Sequence, residues 1–222
     1  TRVALASYYG LVTFIDDLIG KILGAVEQNG LGDNTQIFYL SDHGDNIGER
    51  DLWGKSNFYE ESVGIPCIIK GPEIPVEKTV KTPVSLIDVC PTILKTAGIN
   101  LEAKPGTSLV DLANAEDNLD RLVFSEYHAV GSATGAFMIR KGQWKLIYYV
   151  SMHPQLFNLA DDPEELHDLG ANPKHEGIRR QLEAELRSIC DPEAVDAMAK
   201  ADQMAIVKAN GGIEAVVAKG GF

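Results

Sequence analysis

The amino-acid sequence predicts an α/β protein: a mostly parallel sheet flanked by helices, followed by a small antiparallel sheet with a packed helix. Three observations lead to this prediction. Apolar residues at helical spacing precede a short apolar run that ends at Leu40, as in strands buried within a parallel sheet. A polar loop containing glycine follows at once, which is typical of the ligand-binding edge of such a sheet. Beyond residue 120, strand-like segments joined by short turns replace this alternation.

The first 110 residues alternate between helical and strand-like segments. One helix face collects Leu11, Phe14, Ile15, Leu18 and Ile22. Asn29-Gly30 is expected to end this helix. Strands are predicted over residues 35–40 and 65–69, and a helix that is either broken or started around Pro91 is predicted over 84–97. Residues 100–120 are polar and irregular, which favours a linker.

The remaining residues predict a small sheet followed by helices. Strands are predicted over residues 122–127, 136–140, 144–150 and 155–159. Lys141-Gly142-Gln143 is a tight hairpin signal between the second and third strands. Helices are predicted over 174–190 and 191–219, the latter interrupted at Gly211-Gly212. We therefore expect three domains, over residues 1–115, 116–190 and 191–222.

The composition limits the classes of partner. The chain has 20 basic and 32 acidic residues, so its formal net charge is 20 − 32 = −12. Such a balance argues against nucleic acid or a membrane surface as the main partner, and we find no apolar window as long as a membrane span. Cys67, Cys90 and Cys190 show no disulfide spacing, and we interpret them as buried structural residues. These features favour the cytoplasm, with the periplasm as the alternative.

Two short segments carry side chains suited to chemistry. In Ser41-Asp42-His43-Gly44-Asp45, an adjacent Asp and His at a strand end can reach one divalent cation. Lys55 follows thirteen residues after Asp42, and a lysine beside a metal site can neutralise a sulfuryl or phosphoryl oxygen. Taken singly, each also fits a plain interpretation, because acids and lysines are common in solvated loops.

Together these segments resemble the sulfatase branch of the alkaline phosphatase superfamily. The run over residues 34–62, NTQIFYLSDHGDNIGERDLWGKSNFYEES, is followed by further matching segments in the family's order. These are GIP and IIKGP over residues 64–72, the D-x-x-P-T-x-L helix over 88–94, the hairpin MIR with WKLI over 138–147, and LFNLADDPEE over 156–165. The Asp-His pair, and Ser125-Glu126-Tyr127-His128 before a turn at Gly131, are most similar to choline sulfatases and phosphonate monoester hydrolases.

The resemblance implies an alkaline-phosphatase-like fold with a divalent cation, calcium in the first place, with manganese or magnesium as alternatives. Asp42 and His43 match two of the family's metal ligands. Lys55 matches the catalytic cation that contacts the sulfuryl oxygens and the leaving group. Glu126 and His128 are expected to contribute to the substrate pocket.

The family's nucleophile is a formylglycine made from Cys or Ser in a C/S-x-P-x-R motif, and this sequence contains no such motif. Cys90-Pro91 does not fit, because proline follows the cysteine directly. The chain also starts without Met, just ahead of a helical pattern. We therefore expect it to be the C-terminal portion of a sulfatase, with the formylglycine in a missing N-terminal half, and we expect these residues alone to be inactive.

The expected function is metal-dependent hydrolysis of a small sulfate ester. One alternative is a phosphonate monoester or phosphodiester hydrolase on the same scaffold. Another is a catalytically inactive fragment that serves binding or oligomerisation. The tail from residue 191 is similar to extensions that build oligomers in this branch, so a homo-oligomer is expected.

Overall fold

The structure is a computed structural model that describes residues 2–99, 105–129 and 132–220. It divides into two compact units. The first unit comprises Thr1–Lys55 and Tyr59–Asp117, and the second comprises Ser56–Phe58 and Asn118–Phe222. The turn expected at Gly131 lies outside the described residues, as does part of the predicted linker.

Within the residues that the structure describes, the first unit combines four α-helices with two short strands. In chain order they are α1 (Arg2–Gln28), β1 (Ile37–Leu40), α2 (Glu60–Val63), β2 (Cys67–Lys70), α3 (Val89–Thr96) and α4 (Leu109–Asn114). Helix α1 ends as predicted, because Gly30 takes a left-handed φ of 66° that suits glycine. Helix α4 lies within the segment that the sequence predicted to be an irregular linker.

The two strands of the first unit run antiparallel, with Ile37 opposite Lys70 and Leu40 opposite Cys67. The sequence predicted a mostly parallel sheet, so this pair differs from the expectation. The connection doubles back on itself, since Gly44 N–H donates to Ser62 O at 2.8 Å just beyond the strand ends. The chain therefore returns beside β1 in the opposite direction, an arrangement often found at the edge of mixed sheets.

Helix α1 buries none of its residues in the described structure. The predicted apolar face is present, but it is open to solvent: Leu11, Phe14, Ile15, Leu18 and Ile22 are all exposed. The apolar periodicity thus predicted the helix correctly. The described residues do not include a surface against which this face could pack.

The D-x-x-P-T motif builds the interior of the first unit. Asp88 is fully buried, and its carboxylate accepts hydrogen bonds from Ser85 N and Thr107 N, both at 2.8 Å. Thr92 Oγ1 donates to Asp88 O at 2.6 Å and accepts from Leu109 N at 2.8 Å. These side chains tie α3 to the segment that leads into α4, so the motif has a structural role.

The second unit contains a four-stranded antiparallel sheet in sequential order. Its strands are β3 (Val123–Tyr127), β4 (Ala136–Lys141), β5 (Trp144–Tyr149) and β6 (Gln155–Asn158). Its helices are α5 (Glu176–Ile189), α6 (Pro192–Ala209) and α7 (Ile213–Ala218). The α/β class, the small C-terminal sheet and the break at Gly211-Gly212 are therefore confirmed.

A closed hydrophobic core lies between this sheet and α5. It consists of Phe137, Ile139, Leu146, Val150, Leu156, Leu182 and Leu186. A buried ion pair adjoins it, in which Lys145 Nζ lies 2.8 Å from Glu165 Oε1 and both side chains are inaccessible to solvent. Two of the sequence segments that carry the resemblance, WKLI and LFNLADDPEE, are joined through this pair.

Helices α5 and α6 are linked by a charged cluster. Arg187 contacts Glu193 in a bidentate manner, at 2.7 and 2.9 Å, and Tyr148 Oη donates to the same carboxylate at 2.5 Å. The Arg187 guanidinium, followed by the Tyr148 hydroxyl, lowers the pKa of Glu193 from 4.5 to about 2. Charge-assisted bonds of this kind favour the ionised carboxylate.

Two of the three cysteines depart from the prediction. Cys67 and Cys90 are exposed, whereas Cys190 is partly buried, and all three are free thiols. The sequence predicted burial because Cys67 lies in an apolar strand and Cys90 in a helix. The faces on which they lie are uncovered among the described residues. No helix in the described part of the chain is long and apolar enough to cross a membrane.

Candidate active site

The loop that follows β1 brings together three of the predicted site residues. Lys55 Nζ contacts His43 Nε2, and Asp42 Oδ2 lies 3.3 Å from the same nitrogen. Lys55 lies twelve residues beyond His43, so the loop must fold back to make this contact. The Asp42 side chain is 82% exposed and that of His43 is 38% exposed, so the cluster is open to solvent.

The His43 ring is held in one tautomer. Its Nδ1 lies 2.7 Å from Gly44 O. Because a carbonyl oxygen can only accept, Nδ1 carries the proton and Nε2 presents its lone pair. This is the orientation found in metal-binding histidines, whose second nitrogen donates to a carbonyl or carboxylate.

The Asp42–His43 pair fits part of a cation site. Neighbouring ligands about 2.3 Å from an ion at a right angle are themselves roughly 3.3 Å apart, and Asp42 Oδ2 and His43 Nε2 have this separation. The ammonium of Lys55 already stands at the histidine lone pair. However, the described residues contain no cluster of three or more His, Cys, Asp or Glu able to hold a metal ion. Two donors are too few for a divalent cation, so any ion needs further ligands.

The backbone of the loop is packed closely against the start of its return segment. A Cβ at Gly44 would overlap the carbonyl oxygen of Glu61, so only glycine fits there. Arg50 donates to Glu61 Oε1 at 2.6 Å and lies 4.3 Å from the centre of the Tyr59 ring. These contacts fix the course of the loop between His43 and Ser62.

Asp45 and Glu49, two acids of this loop, have different environments. Asp45 Oδ1 accepts from Ile47 N at 2.8 Å and from Gly54 N at 3.2 Å. Glu49 is exposed to solvent. The backbone contacts therefore single out Asp45.

Glu126 and His128 lie in the second unit, at the end of β3. His128 Nε2 is 3.8 Å from Glu126 Oε2, and the His128 and Phe137 rings pack in a T-shaped arrangement with their centroids 5.2 Å apart. Neither ring nitrogen of His128 has a hydrogen-bond partner within the described ranges. The two residues thus form a neighbouring pair, and their role in binding substrate stays a prediction.

The second unit also contains a cavity of about 190 Å³ whose size is that of a small-molecule fragment. Its aromatic lining residues are Phe58, Tyr127 and Tyr149, and Tyr127 Oη donates to Ser56 Oγ at 3.1 Å. Glu126 and His128 are absent from the described lining. Strand alternation accounts for this, since Tyr127 points to the opposite side from its two neighbours.

The sequence of this chain is similar to one family model and to two relatives of known type. Residues 2–99 match the family model described as Sulfatase. The chain is 37% identical over 204 residues to a choline-sulfatase of Rhizobium meliloti, covering 89% of this chain and 40% of that protein. It is 35% identical over 204 residues to arylsulfatase K of Bos taurus, covering 86% of this chain and 37% of that protein.

Solved structures show the same fold. BT4656, in complex with its substrate D-glucosamine-2-N,6-O-disulfate, matches with a TM-score of 0.74 and 27% identity, over 82% of this chain and 40% of that one. The phosphonate monoester hydrolase of Agrobacterium radiobacter matches with a TM-score of 0.71 over the same shares, at 24% identity. The chain thus spans about two fifths of the length of these proteins.

Proposed function

Because the chain belongs to the sulfatase family, we propose that the whole protein carrying these residues hydrolyses a small sulfate ester with the help of a divalent cation. The observation that supports this most directly is the contact between Lys55 and the Asp42–His43 pair. A carboxylate, an oriented imidazole and an ammonium in one exposed cluster are what the binding of a cation and an anionic ester requires.

Each residue of the cluster has a distinct part in this proposal. Asp42 and His43 would provide two ligands for the cation, and Gly44 O keeps the His43 proton on Nδ1. The bound cation would supply Lewis-acid polarisation of the sulfuryl group. Lys55 would place its positive charge beside the sulfuryl oxygens and the leaving oxygen, where negative charge grows in the transition state.

These residues leave the attack on sulfur to a group outside them. The sequence has no C/S-x-P-x-R motif for a formylglycine. We therefore propose that the nucleophile and the remaining ligands come from elsewhere in the whole protein. The 222-residue chain assayed alone is expected to show no turnover of an aryl sulfate above its own Lys55→Ala variant, and measurable turnover would contradict this.

The test is kinetic and uses the whole protein. We expect hydrolysis of p-nitrophenyl sulfate or choline sulfate that is lost on dialysis against EDTA and restored by calcium or manganese. Lys55→Ala is expected to lower kcat by roughly 10²–10³-fold, as removal of one group that stabilises transition-state charge does. Lys174→Ala, which removes an exposed lysine just before α5, is the matched control and should retain full activity. An active Lys55→Ala enzyme would overturn the proposal.

A second candidate is hydrolysis of phosphonate monoesters or phosphodiesters on the same scaffold. It is supported by the shared fold with the Agrobacterium hydrolase, and the same charged cluster suits a phosphoryl centre. The ratio of kcat/KM for p-nitrophenyl sulfate to that for p-nitrophenyl phenylphosphonate separates the two. A ratio above one favours the sulfatase.

The helical tail is the part we propose for assembly into a homo-oligomer. Helices α6 and α7 expose Met198, Met204, Ile206, Ile213 and Val217, and large exposed apolar side chains grouped on one segment favour association. Light scattering on the whole protein with and without residues 192–220 tests this. An unchanged mass after truncation would exclude the tail as the contact.

A further inference from the structure

The backbone on both sides of Lys55 is held by side chains with no assigned part in the chemistry. We propose that Asp45 and Ser62 are positioning residues, which fix the peptide units around Lys55 so that its ammonium faces the Asp42–His43 pair. This inference rests on the proposed function, because it concerns the placement of the charge that the reaction uses.

Asp45 acts on the residue before Lys55. Its Oδ1 accepts the N–H of Gly54 at 3.2 Å and that of Ile47 at 2.8 Å. One carboxylate oxygen therefore links the start of the loop to the peptide between Trp53 and Gly54, one peptide unit before Lys55. Both bonds use an acceptor and need no negative charge, so a neutral amide oxygen at the same position can make them.

Asn46 holds the next peptide, which joins Gly54 to Lys55. It is 1% exposed, and both its backbone N–H, at 2.8 Å, and its side-chain Nδ2, at 2.5 Å, donate to Gly54 O. The N–H and the carbonyl of Gly54 are thus both bonded to the two residues that follow Gly44. The peptide that joins Gly54 to Lys55 is therefore held through its carbonyl, and the peptide before it is held through its N–H, which limits rotation at Gly54.

Ser62 acts on the residue itself. It is 2% exposed, and its Oγ donates to Lys55 O at 2.5 Å. Its own carbonyl accepts from Gly44 N at 2.8 Å. A single buried serine therefore joins the Lys55 carbonyl to the amide next to His43.

The reason for holding the backbone around Lys55 in this way follows from the chemistry of the lysine side chain. Its ammonium is a point charge on a flexible four-carbon stem, unlike the rigid fork of arginine. Geometry must therefore be imposed from the backbone. A displacement of about 1 Å in a catalytic group can cost around 10²-fold in rate, so loosening the peptide should lower the rate without removing any reacting group.

The experiment compares Asp45→Ala with Asp45→Asn in the whole protein. We expect Asp45→Ala to lower kcat about tenfold with little change in KM, and to speed amide exchange in a peptide covering residues 53–57 by about tenfold, the equivalent of one lost hydrogen bond. We expect Asp45→Asn to restore both toward wild type. Glu49→Ala and Glu49→Gln, in the exposed acid of the same loop, are the matched controls and should change neither.

A second pair of variants keeps the test decisive if Asp45→Ala fails to fold. Ser62→Ala removes the bond to Lys55 O, and Ser62→Thr retains a hydroxyl, so the first should reproduce the loss and the second should recover part of it. If Asp45→Asn is as impaired as Asp45→Ala, the carboxylate charge matters and the positioning role is wrong. Faster exchange with unchanged kcat would also overturn it. A wild-type protein inactive on every ester would instead refute the proposed function, while the exchange rates still report whether Asp45 holds Gly54.

Discussion

The two units of this chain differ in how far each completes its own interior. In the second unit, the side chains enclosed between the sheet and α5 include Phe137, Ile139, Leu146 and Leu156, each of which is 0% exposed. In the first, the longest helix buries no residue. The chemistry-bearing cluster lies in the less complete unit.

This difference separates two uses of buried polar groups. In the second unit, Lys145 and Glu165 form a buried ion pair beside the apolar core. In the first, Asn46 and Ser62 are buried to hold a loop rather than to fill a core. In the described part of the first unit, hydrogen bonds and close backbone packing hold the loop locally, while the apolar face of α1 has no cover among the described residues.

The largest expected effect concerns the buried ion pair. Glu165→Ala leaves the Lys145 ammonium buried without this partner, and breaking such a pair typically costs about 3–5 kcal/mol. Urea unfolding of the 222-residue chain measures it. The double variant Lys145→Met/Glu165→Met removes both charges and should recover most of the loss. If the double variant is no more stable than Glu165→Ala, the cost lies in packing and not in the unpaired charge.

A slightly smaller loss of stability is expected from a substitution in the hydrophobic core of the second unit. Comparing it with a substitution on α1 contrasts the two units directly. Leu146→Ala in the second unit should lower the free energy of unfolding by about 2–5 kcal/mol, through lost burial and a cavity. Ile22→Ala on α1, which is 63% exposed, should change it by less than about 0.5 kcal/mol, as surface substitutions do. Equal losses at the two positions would mean that the α1 face is covered in solution.

The exposed apolar face of α1 should also be detectable by dye binding and by self-association. We expect the 222-residue chain to bind a hydrophobic dye and to associate at high concentration, because large apolar patches favour both. Leu18→Glu with Ile22→Lys should reduce dye fluorescence and association. Lys21→Glu, a charge change beside the face, is the control. A strictly monomeric, dye-negative wild-type chain would argue against this surface being free.

The smallest effect concerns pH and the second unit alone. Glu193 has a folded-state pKa of about 2 against 4.5 ordinarily, so its contribution is complete above pH 4.5 and is lost as the pH falls toward 2. Because Glu193 and Arg187 are nearly half exposed, solvent screening limits this contribution to about 0.5–1 kcal/mol. Melting curves of wild type and Glu193→Gln should differ at pH 6 and converge near pH 2. A difference that persists at pH 2 would assign the effect to something other than this charge.

Much of the fold could be predicted from local periodicity. Helix α1, the strands β3–β6 and the break between α6 and α7 all follow from spacing and glycine, which are properties of neighbouring residues. The approach of Lys55 to His43 was also expected, because the resemblance assigned the two residues to one site. The antiparallel pairing of β1 with β2 was not, since strand direction depends on the route of the whole connection.

Other features depend on contacts between distant residues and carry no signal of their own. Nothing in the sequence around Ser62 indicates that its buried hydroxyl bonds to the Lys55 carbonyl, because a serine between Glu61 and Val63 resembles any helix residue. The exposure of Cys67 and Cys90 was missed for a related reason. An apolar pattern shows which face of an element favours burial, but not whether another element packs against that face. Asp45 and Glu49 look alike in the sequence, and the two backbone partners of Asp45 distinguish it from Glu49.

The close approach at Gly44 has a consequence for how this protein can change. The space beside its α-carbon is occupied by the Glu61 carbonyl. Every replacement at this position therefore introduces a Cβ that clashes with that carbonyl. In a saturation library this position should tolerate no substitute, although it carries no side chain that could take part in catalysis. Mutational intolerance at residue 44 would then mark where the loop is folded back on itself, and a designer who wishes to graft this loop onto another scaffold must carry Gly44 and its opposing backbone across together.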